Sequence, residues 1–222
     1  MSNDLAWLDK FHQEKPFLHG RSYLLAKRLM DLSIVIATMP VWLPTFVLIY
    51  VVIWASNPGA PVIFTQKRTG KNGSRFLIYK FRTMVPDAEK LKSKLVNVNS
   101  QGELAGPMKL ANDPRITRIG RILRKTSLDE LPQLINIIRG EMSLVGPRPT
   151  SWSLESYKLW HTERLDVLPG LTGLWQLYDR GGLDFDDWLR WDILYLDSRC
   201  LKLDVIILIK TFTTVIGQRG AR

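Results

Sequence analysis

The chain has 222 residues, enough for one well-filled core or a smaller core with accessory elements, and this argues against two full domains. With 31 Lys and Arg against 21 Asp and Glu, its formal charge of +10 draws it toward anions: nucleic acid, phosphorylated metabolites or an anionic membrane surface. The single cysteine, Cys200, excludes an internal disulfide framework and makes a reducing compartment the simpler assumption, while His12, His19 and His161 stand alone, lack zinc-type spacing and read as surface or interface residues.

Near the start, "LAWLDKF" places Leu5, Trp7, Leu8 and Phe11 where a short amphipathic helix would lie on a membrane surface or pack on the protein itself, so residues 1–26 are expected to form an amphipathic arm. Leu32 to Ala55 then contains no charged residue and is about as long as a bilayer crossing requires. It starts too far in and runs too long for a secretory signal. Pro40 and Pro44 interrupt it, each removing a backbone donor and crowding the preceding turn. Basic residues flank both ends: Arg21, Lys27 and Arg28 before; Lys67, Arg68, Lys71, Arg75, Lys80 and Arg82 after. The positive-inside bias puts both flanks in the cytoplasm, so a broken helix that enters and leaves by one face, spanning residues 27–57, satisfies both observations. A kinked true span is the alternative, because bilayer helices tolerate proline.

Residues 58–200 read as one cytoplasmic unit without repeats. "VIFTQ" and "RFLIYKF", joined by "TGKNGS", predict a β-hairpin. "DAEKLKSKLVNV", 87–98, suits a short exposed helix, and the stretch after it is loop-like. "RITRIGRILRK" spaces Ile116, Ile119 and Leu123 for a helix with one apolar face rimmed by Arg115, Arg118, Arg121 and Arg124. Next comes "SLDELPQLINIIRG". Locally, Ser127 and Glu130 fit a capping box, with Asp129 and Glu130 as ordinary first-turn acids; a helix after Pro132 should end at Gly140. Further on, Asp184, Asp186 and Asp187 read as capping and surface charge ahead of an amphipathic helix. Residues 201–222 are expected to form an interfacial or packing helix and a tail, since Lys202, Asp204 and Lys210 interrupt the apolar run.

In order along the chain, "KRLMD", the proline-broken segment, "PVIF.Q.R.G..G", "YKFRTM", "NDPRITRIGR", "SLDELPQL", "GEMSLVGPRP" and "PGLTGLWQ" resemble the bacterial sugar transferase family, the monotopic phosphoglycosyl transferases. The resemblance implies an α/β, mostly helical monotopic membrane protein on the cytoplasmic face of the bacterial inner membrane, with a re-entrant helix broken near Pro44. Leu43 stands where many members have Ser, so the break is expected to depend less on a hydroxyl. The chain is similar to the small catalytic-core form of the family, without the multi-helix domain that larger members place in front.

The implied reaction moves a sugar 1-phosphate from a nucleoside diphosphate sugar, a UDP-sugar being favoured, to polyprenyl phosphate. Asp129 and Glu130 fall on the catalytic pair, Asp129 as nucleophile, with Mg2+ held by both. Lys80, Arg82, Asp113, Arg115, Arg124 and Arg148 fall on substrate phosphate- or nucleotide-binding positions, and Pro40 and Pro44 on the membrane break. The implied partners are the two substrates and membrane lipids, with no nucleic acid and with room for a homodimer. Direct transfer in a ternary complex, with Asp129 as a base, and a non-catalytic basic membrane scaffold are the rival readings. "LWQLYDRGG" departs from the commoner family pattern, so the sugar stays open between glucose, galactose and an N-acetylated sugar.

Overall fold

The structure is a computed structural model and describes residues 18, 20–88, 91, 113–178 and 185–216. Leu5, Trp7, Leu8 and Phe11 of the expected N-terminal arm, nearly all of the 87–98 helix, and Asp184 lie outside these residues. What is described is mostly helical, with two small sheets.

Helix α1 (Gly20–Ala37) turns at Thr38 into α2 (Met39–Ser56). The break therefore falls at Thr38, ahead of Pro40, and Pro44 sits inside α2. This corrects the expectation of a break near Pro44, and the reason is local: Pro40 brings no N–H to the ladder, while the carbonyls before it find other donors. The Thr38 hydroxyl donates to the Ile34 carbonyl at 2.7 Å, and the Trp42 indole N–H to that of Val35 at 2.8 Å. A hydroxyl thus does serve the break, supplied by Thr38. Among the described residues α2 is the one helix long and apolar enough to cross a membrane. Only Ile49 and Ile53 are buried, while Val41 and Leu48 are 73% and 64% exposed, a surface that water penalises and lipid does not.

The hairpin forms as its sequence predicts: β1 (Ile63–Thr69) pairs antiparallel with β2 (Arg75–Phe81), and the turn between them holds Asn72 at φ 53° and Gly73 at φ 74°. Helix α3 (Arg118–Thr126) follows, capped by Thr117 Oγ1, which accepts from Gly120 N. Helix α4 (Gln133–Arg139) ends on left-handed Gly140 as expected. A parallel pair, β3 (Ser143–Val145) with β4 (Gly170–Thr172), has no counterpart in the sequence reading. Short α5 (Leu174–Tyr178), α6 (Phe185–Ser198) and α7 (Leu201–Ile216) complete the described chain.

Two apolar clusters fix these elements. The larger surrounds β3–β4 with fully buried Ile137, Met142, Val145, Leu203 and Ile207. In the smaller, Ile49 and Ile53 of α2 meet Phe81 of β2 and Leu123 of α3, with the Phe46 and Phe81 rings 4.9 Å apart. The "KRLMD" residues turn out to be clamps from α1 to three other elements. Lys27 pairs with buried Asp204 of α7 at 2.8 Å, Arg28 donates to the Ile138 carbonyl at 2.9 Å, and Asp31 accepts from Ser143 Oγ at 2.6 Å. Tyr195 also donates to Asp204, at 2.7 Å, so the charge interrupting the last helix is spent inside the core. His161, expected at the surface or an interface, is buried against Trp160 with ring centroids 4.3 Å apart, because its Nδ1 accepts from Lys158 N and the ring faces Asp186.

Gly120 of α3 lies against the chain at Thr83, where a Cβ would come within 2.0 Å of the Thr83 carbonyl oxygen. Backbone cannot yield there as a flexible side chain could. Gly120→Ala should therefore cost roughly 1–3 kcal/mol through overpacking, read as a lower unfolding temperature of the detergent-solubilised protein.

Candidate active site

Alternation along the hairpin supplies the first wall. In β1, Phe64, Gln66 and Arg68 share one face, and the register sets Lys80 opposite Phe64 with Arg82 two residues on. These side chains look into a cleft of about 1230 Å3, lined also by Arg115, Arg124, Asp129, Glu130, Arg148 and, beyond them, Trp175 and Phe212.

The acidic pair lies on a 3-10 turn, Leu128–Glu130, between α3 and α4. Ser127 closes α3 in the left-handed conformation, φ 58°, its N–H bonded to the Arg124 carbonyl, and its side chain makes no cap hydrogen bond. The capping-box reading is thereby overturned: Glu130 points away from Ser127 into a cage of cations. Lys80 Nζ donates to Glu130 Oε1 at 2.7 Å; Arg148 donates to both oxygens, with Nη1 3.2 Å from Oε2. Burial alone would raise the Glu130 carboxyl, but Arg148 and Lys80 outweigh it and hold the group well below the usual carboxylate range. Burial, aided by Arg148, pushes the Lys80 ammonium down against the pull of Glu130.

Asp129 differs in kind. Among the described residues it has no hydrogen-bond or ion-pair partner, and burial together with the neighbouring Glu130 charge raises its carboxyl above the ordinary value. One carboxylate is locked and ionised; the other is open to the cleft and more basic than usual. A group of that kind suits nucleophilic or proton chemistry, and the locked neighbour suits positioning.

The remaining basic residues separate by partner. Arg82 carries a buried Nη1 without a hydrogen-bond partner among the described residues, and burial lowers its pKa. Arg124 donates from Nε to Thr83 Oγ1 at 2.9 Å and keeps the rest of its guanidinium for the cleft. Arg115 lines the cleft, and Asp113 grips it, Nη2 to Oδ2 at 2.6 Å. The arginine in turn holds the Asp113 carboxyl low. Asp113 itself does not line the cleft, so it acts on the site through Arg115. Sequence reasoning missed Arg68 as a site residue, though strand alternation places it on the face of Phe64 and Gln66. Its Nη2 donates to Gln66 Oε1 at 2.6 Å and its buried Nε has no hydrogen-bond partner among the described residues. Also missed was the apolar end of the cleft, from Trp175 of α5 and Leu208 and Phe212 of α7, which only "PGLTGLWQ" signalled.

No group of three or more His, Cys, Asp or Glu that could hold a metal occurs among the described residues. Both Glu130 oxygens already accept from cations, whereas Asp129 is open. The donor set therefore fits a magnesium ion touching Asp129 and completed by substrate phosphates and water, the arrangement in which that hard, reluctantly dehydrated ion is usually held.

The sequence profile described as Bacterial sugar transferase matches residues 22–218. The chain belongs to the bacterial sugar transferase family. It is 41% identical over 204 residues to the galactosyl transferase CpsE of Streptococcus agalactiae, covering 90% of this chain and 44% of that protein. Against the undecaprenyl-phosphate galactose phosphotransferase of Salmonella typhimurium it is 42% identical over 207 residues, 92% of this chain and 43% of that protein. The exopolysaccharide production protein ExoY of Rhizobium meliloti is 39% identical over 200 residues, with 89% and 88% covered. The chain thus spans less than half the length of the first two relatives and most of the third. In this family member, the match includes every residue described above as lining the cleft.

The two carboxylates should respond oppositely to neutralisation. A carboxyl raised by the fold makes the protein less stable as pH climbs from the ordinary aspartate value through the raised one, because the ionised form is the disfavoured one. Asp129→Asn should thus unfold at a higher temperature than wild type at neutral pH. Glu130, held low, stabilises above the ordinary glutamate value and loses this as pH falls toward its depressed one, so Glu130→Gln should unfold earlier, costing about 3 kcal/mol as a broken buried pair. Differential scanning fluorimetry on both variants checks the signs.

Proposed function

We propose that this bacterial sugar transferase moves a sugar 1-phosphate from a nucleoside diphosphate sugar to undecaprenyl phosphate, giving undecaprenyl diphosphate sugar and nucleoside monophosphate, at the start of exopolysaccharide or capsule assembly. The observation that carries the reading is Asp129 on the cleft wall, without a hydrogen-bond or ion-pair partner among the described residues, beside a caged Glu130 and in a ring of arginines. Phosphoryl transfer is mostly positioning and charge neutralisation, and such a cleft supplies both. Names of similar proteins, galactose in the two above and UDP-galactose in the UDP-galactose-lipid carrier transferase of Erwinia amylovora, favour UDP-galactose as donor.

In the proposed reaction an Asp129 carboxylate oxygen attacks the sugar-bearing phosphorus and the bond to the nucleoside monophosphate breaks, leaving an aspartyl phosphosugar. A phosphate oxygen of undecaprenyl phosphate then attacks the same phosphorus, and the bond to Asp129 breaks. A carboxylate leaves well, which suits an intermediate that must form and then decay. Magnesium, where bound at Asp129, would offset diphosphate charge. Glu130, fixed by Lys80 and Arg148, keeps both cations aimed at the reacting phosphate, while Arg68, Arg82, Arg115 and Arg124 receive the remaining phosphate charge. Proposed too are the re-entrant course of 27–57, the cytoplasmic unit 58–200, the flanking segments 1–26 and 201–222, an inner-membrane location facing the cytoplasm, and room for a homodimer. The exposed apolar surface of α2 supports membrane association.

Incubation with labelled UDP-galactose in the absence of acceptor should leave label on wild-type protein and none on Asp129→Asn, whose turnover should fall by several powers of ten. Turnover without a trappable intermediate would favour direct transfer, and near-wild-type turnover in Asp129→Asn would remove Asp129 from the chemistry altogether. A panel of nucleotide sugars, scored by released nucleotide, fixes the sugar.

The protein should remain in the membrane pellet under high salt and be released only by detergent, since α2 contributes apolar contact that salt does not screen. Release by salt alone would sink the membrane reading.

A further inference from the structure

Arg148 reaches Glu130 from a segment, Pro147–Pro149, whose two prolines fix φ but bring no N–H. That segment is held by its carbonyls. Gly170 N donates to the Pro147 carbonyl at 2.9 Å, Arg68 Nη1 to that of Pro149 at 3.2 Å, and Thr69 N to that of Thr150 at 2.9 Å. The remaining carbonyl, of Arg148 itself, accepts from Arg164 Nη2 at 2.5 Å.

Arg164 stands apart from the other donors. It comes from the 3-10 segment Leu159–Asp166, is 5% exposed, and pairs at 2.7 Å with Asp192 of α6, which is 2% exposed. Neither side chain lines the cleft. A buried pair of this kind gives little net stability over apolar residues of similar size, so stability is a poor reason for its presence. Its one further hydrogen bond among the described residues goes to the carbonyl of the arginine that cages Glu130.

We propose that the Arg164–Asp192 pair is a positioning device for Arg148: Asp192 orients Arg164, Arg164 fixes the Arg148 main chain, and the Arg148 guanidinium is thereby delivered to Glu130 beside Asp129. The consequence for turnover rests on the proposed sugar-phosphate transfer. The geometry of the strut does not.

The test uses the detergent-solubilised 222-residue chain. Arg164→Met should raise hydrogen exchange across residues 143–152 and lower kcat by about 10²-fold with KM for the nucleotide sugar little changed, the signature of a misplaced reacting-site group. Arg164→Lys keeps a cation and a donor, and should recover part of both. Because Arg164→Met leaves Asp192 buried without its partner, the double variant Arg164→Met/Asp192→Leu is the deciding one. It removes the whole polar pair and should unfold near the wild-type temperature, yet keep the low kcat and the raised exchange. Wild-type kcat in the double variant, or unchanged exchange in both Met-containing proteins, overturns the proposal. Exchange needs no substrate, so it judges the strut even where wild-type turnover fails and takes the transfer reading with it.

Discussion

The site depends on one interaction, the sharing of the Glu130 carboxylate between Lys80 and Arg148. Each partner comes from a different part of the chain: strand β2, the turn after α3, and the proline-bracketed segment after β3. Without the negative charge, Lys80 and Arg148 would be left as like charges close together, and Arg148 already helps to lower the Lys80 pKa. With it, three elements distant in sequence are drawn to one point. Because the group is largely buried, its attraction is screened less than that of a surface pair.

The same arrangement explains why two adjacent acids do not behave alike. Glu130 takes the close cation contacts and stays ionised, while for the adjacent Asp129 burial and the like charge outweigh the more distant pull of Lys80, Arg124 and Arg148. Its carboxyl is raised because the ionised form is poorly satisfied, which is the property the proposed nucleophile needs. Around it the excess positive charge is structural preparation: Asp113 is consumed in holding Arg115, and Arg82 and Arg68 keep buried N–H groups unbonded among the described residues.

The apolar helix pair and the construction of the site are also linked. The apolar α2 touches the rest of the fold through Ile49 and Ile53, against Phe81 at the end of the strand that carries Lys80. Helix α1 is tied by Lys27, Arg28 and Asp31 to α7, α4 and β3. The helices that meet lipid in the proposed reading therefore bear directly on the strands and turns that present the charged groups.

Much of this was legible in the residues themselves. Alternation and turn glycines gave the hairpin, helical spacing gave α3 and α6, Gly140 marked the end of α4, and the uncharged run with its prolines marked a broken apolar helix. Motif order pointed to the family and to Asp129, Glu130, Lys80, Arg82, Arg115, Arg124 and Arg148, all of which line one cleft. Local pattern misled at Ser127 and Glu130, where a capping box was the cheaper explanation, and at His161. At Glu130 the long-range partners Lys80 and Arg148 won over the sequence neighbour, while His161 is buried by its neighbours Lys158 and Trp160 together with distant Asp186. The break at Thr38, the β3–β4 pair, the role of Asp113 behind Arg115 and the reach of Arg164 to the Arg148 carbonyl needed the tertiary structure. A single sequence records periodicity and short-range chemistry, whereas which carboxylate meets which cation is decided by distances across the fold, and those set whether Asp129 or Glu130 is left free.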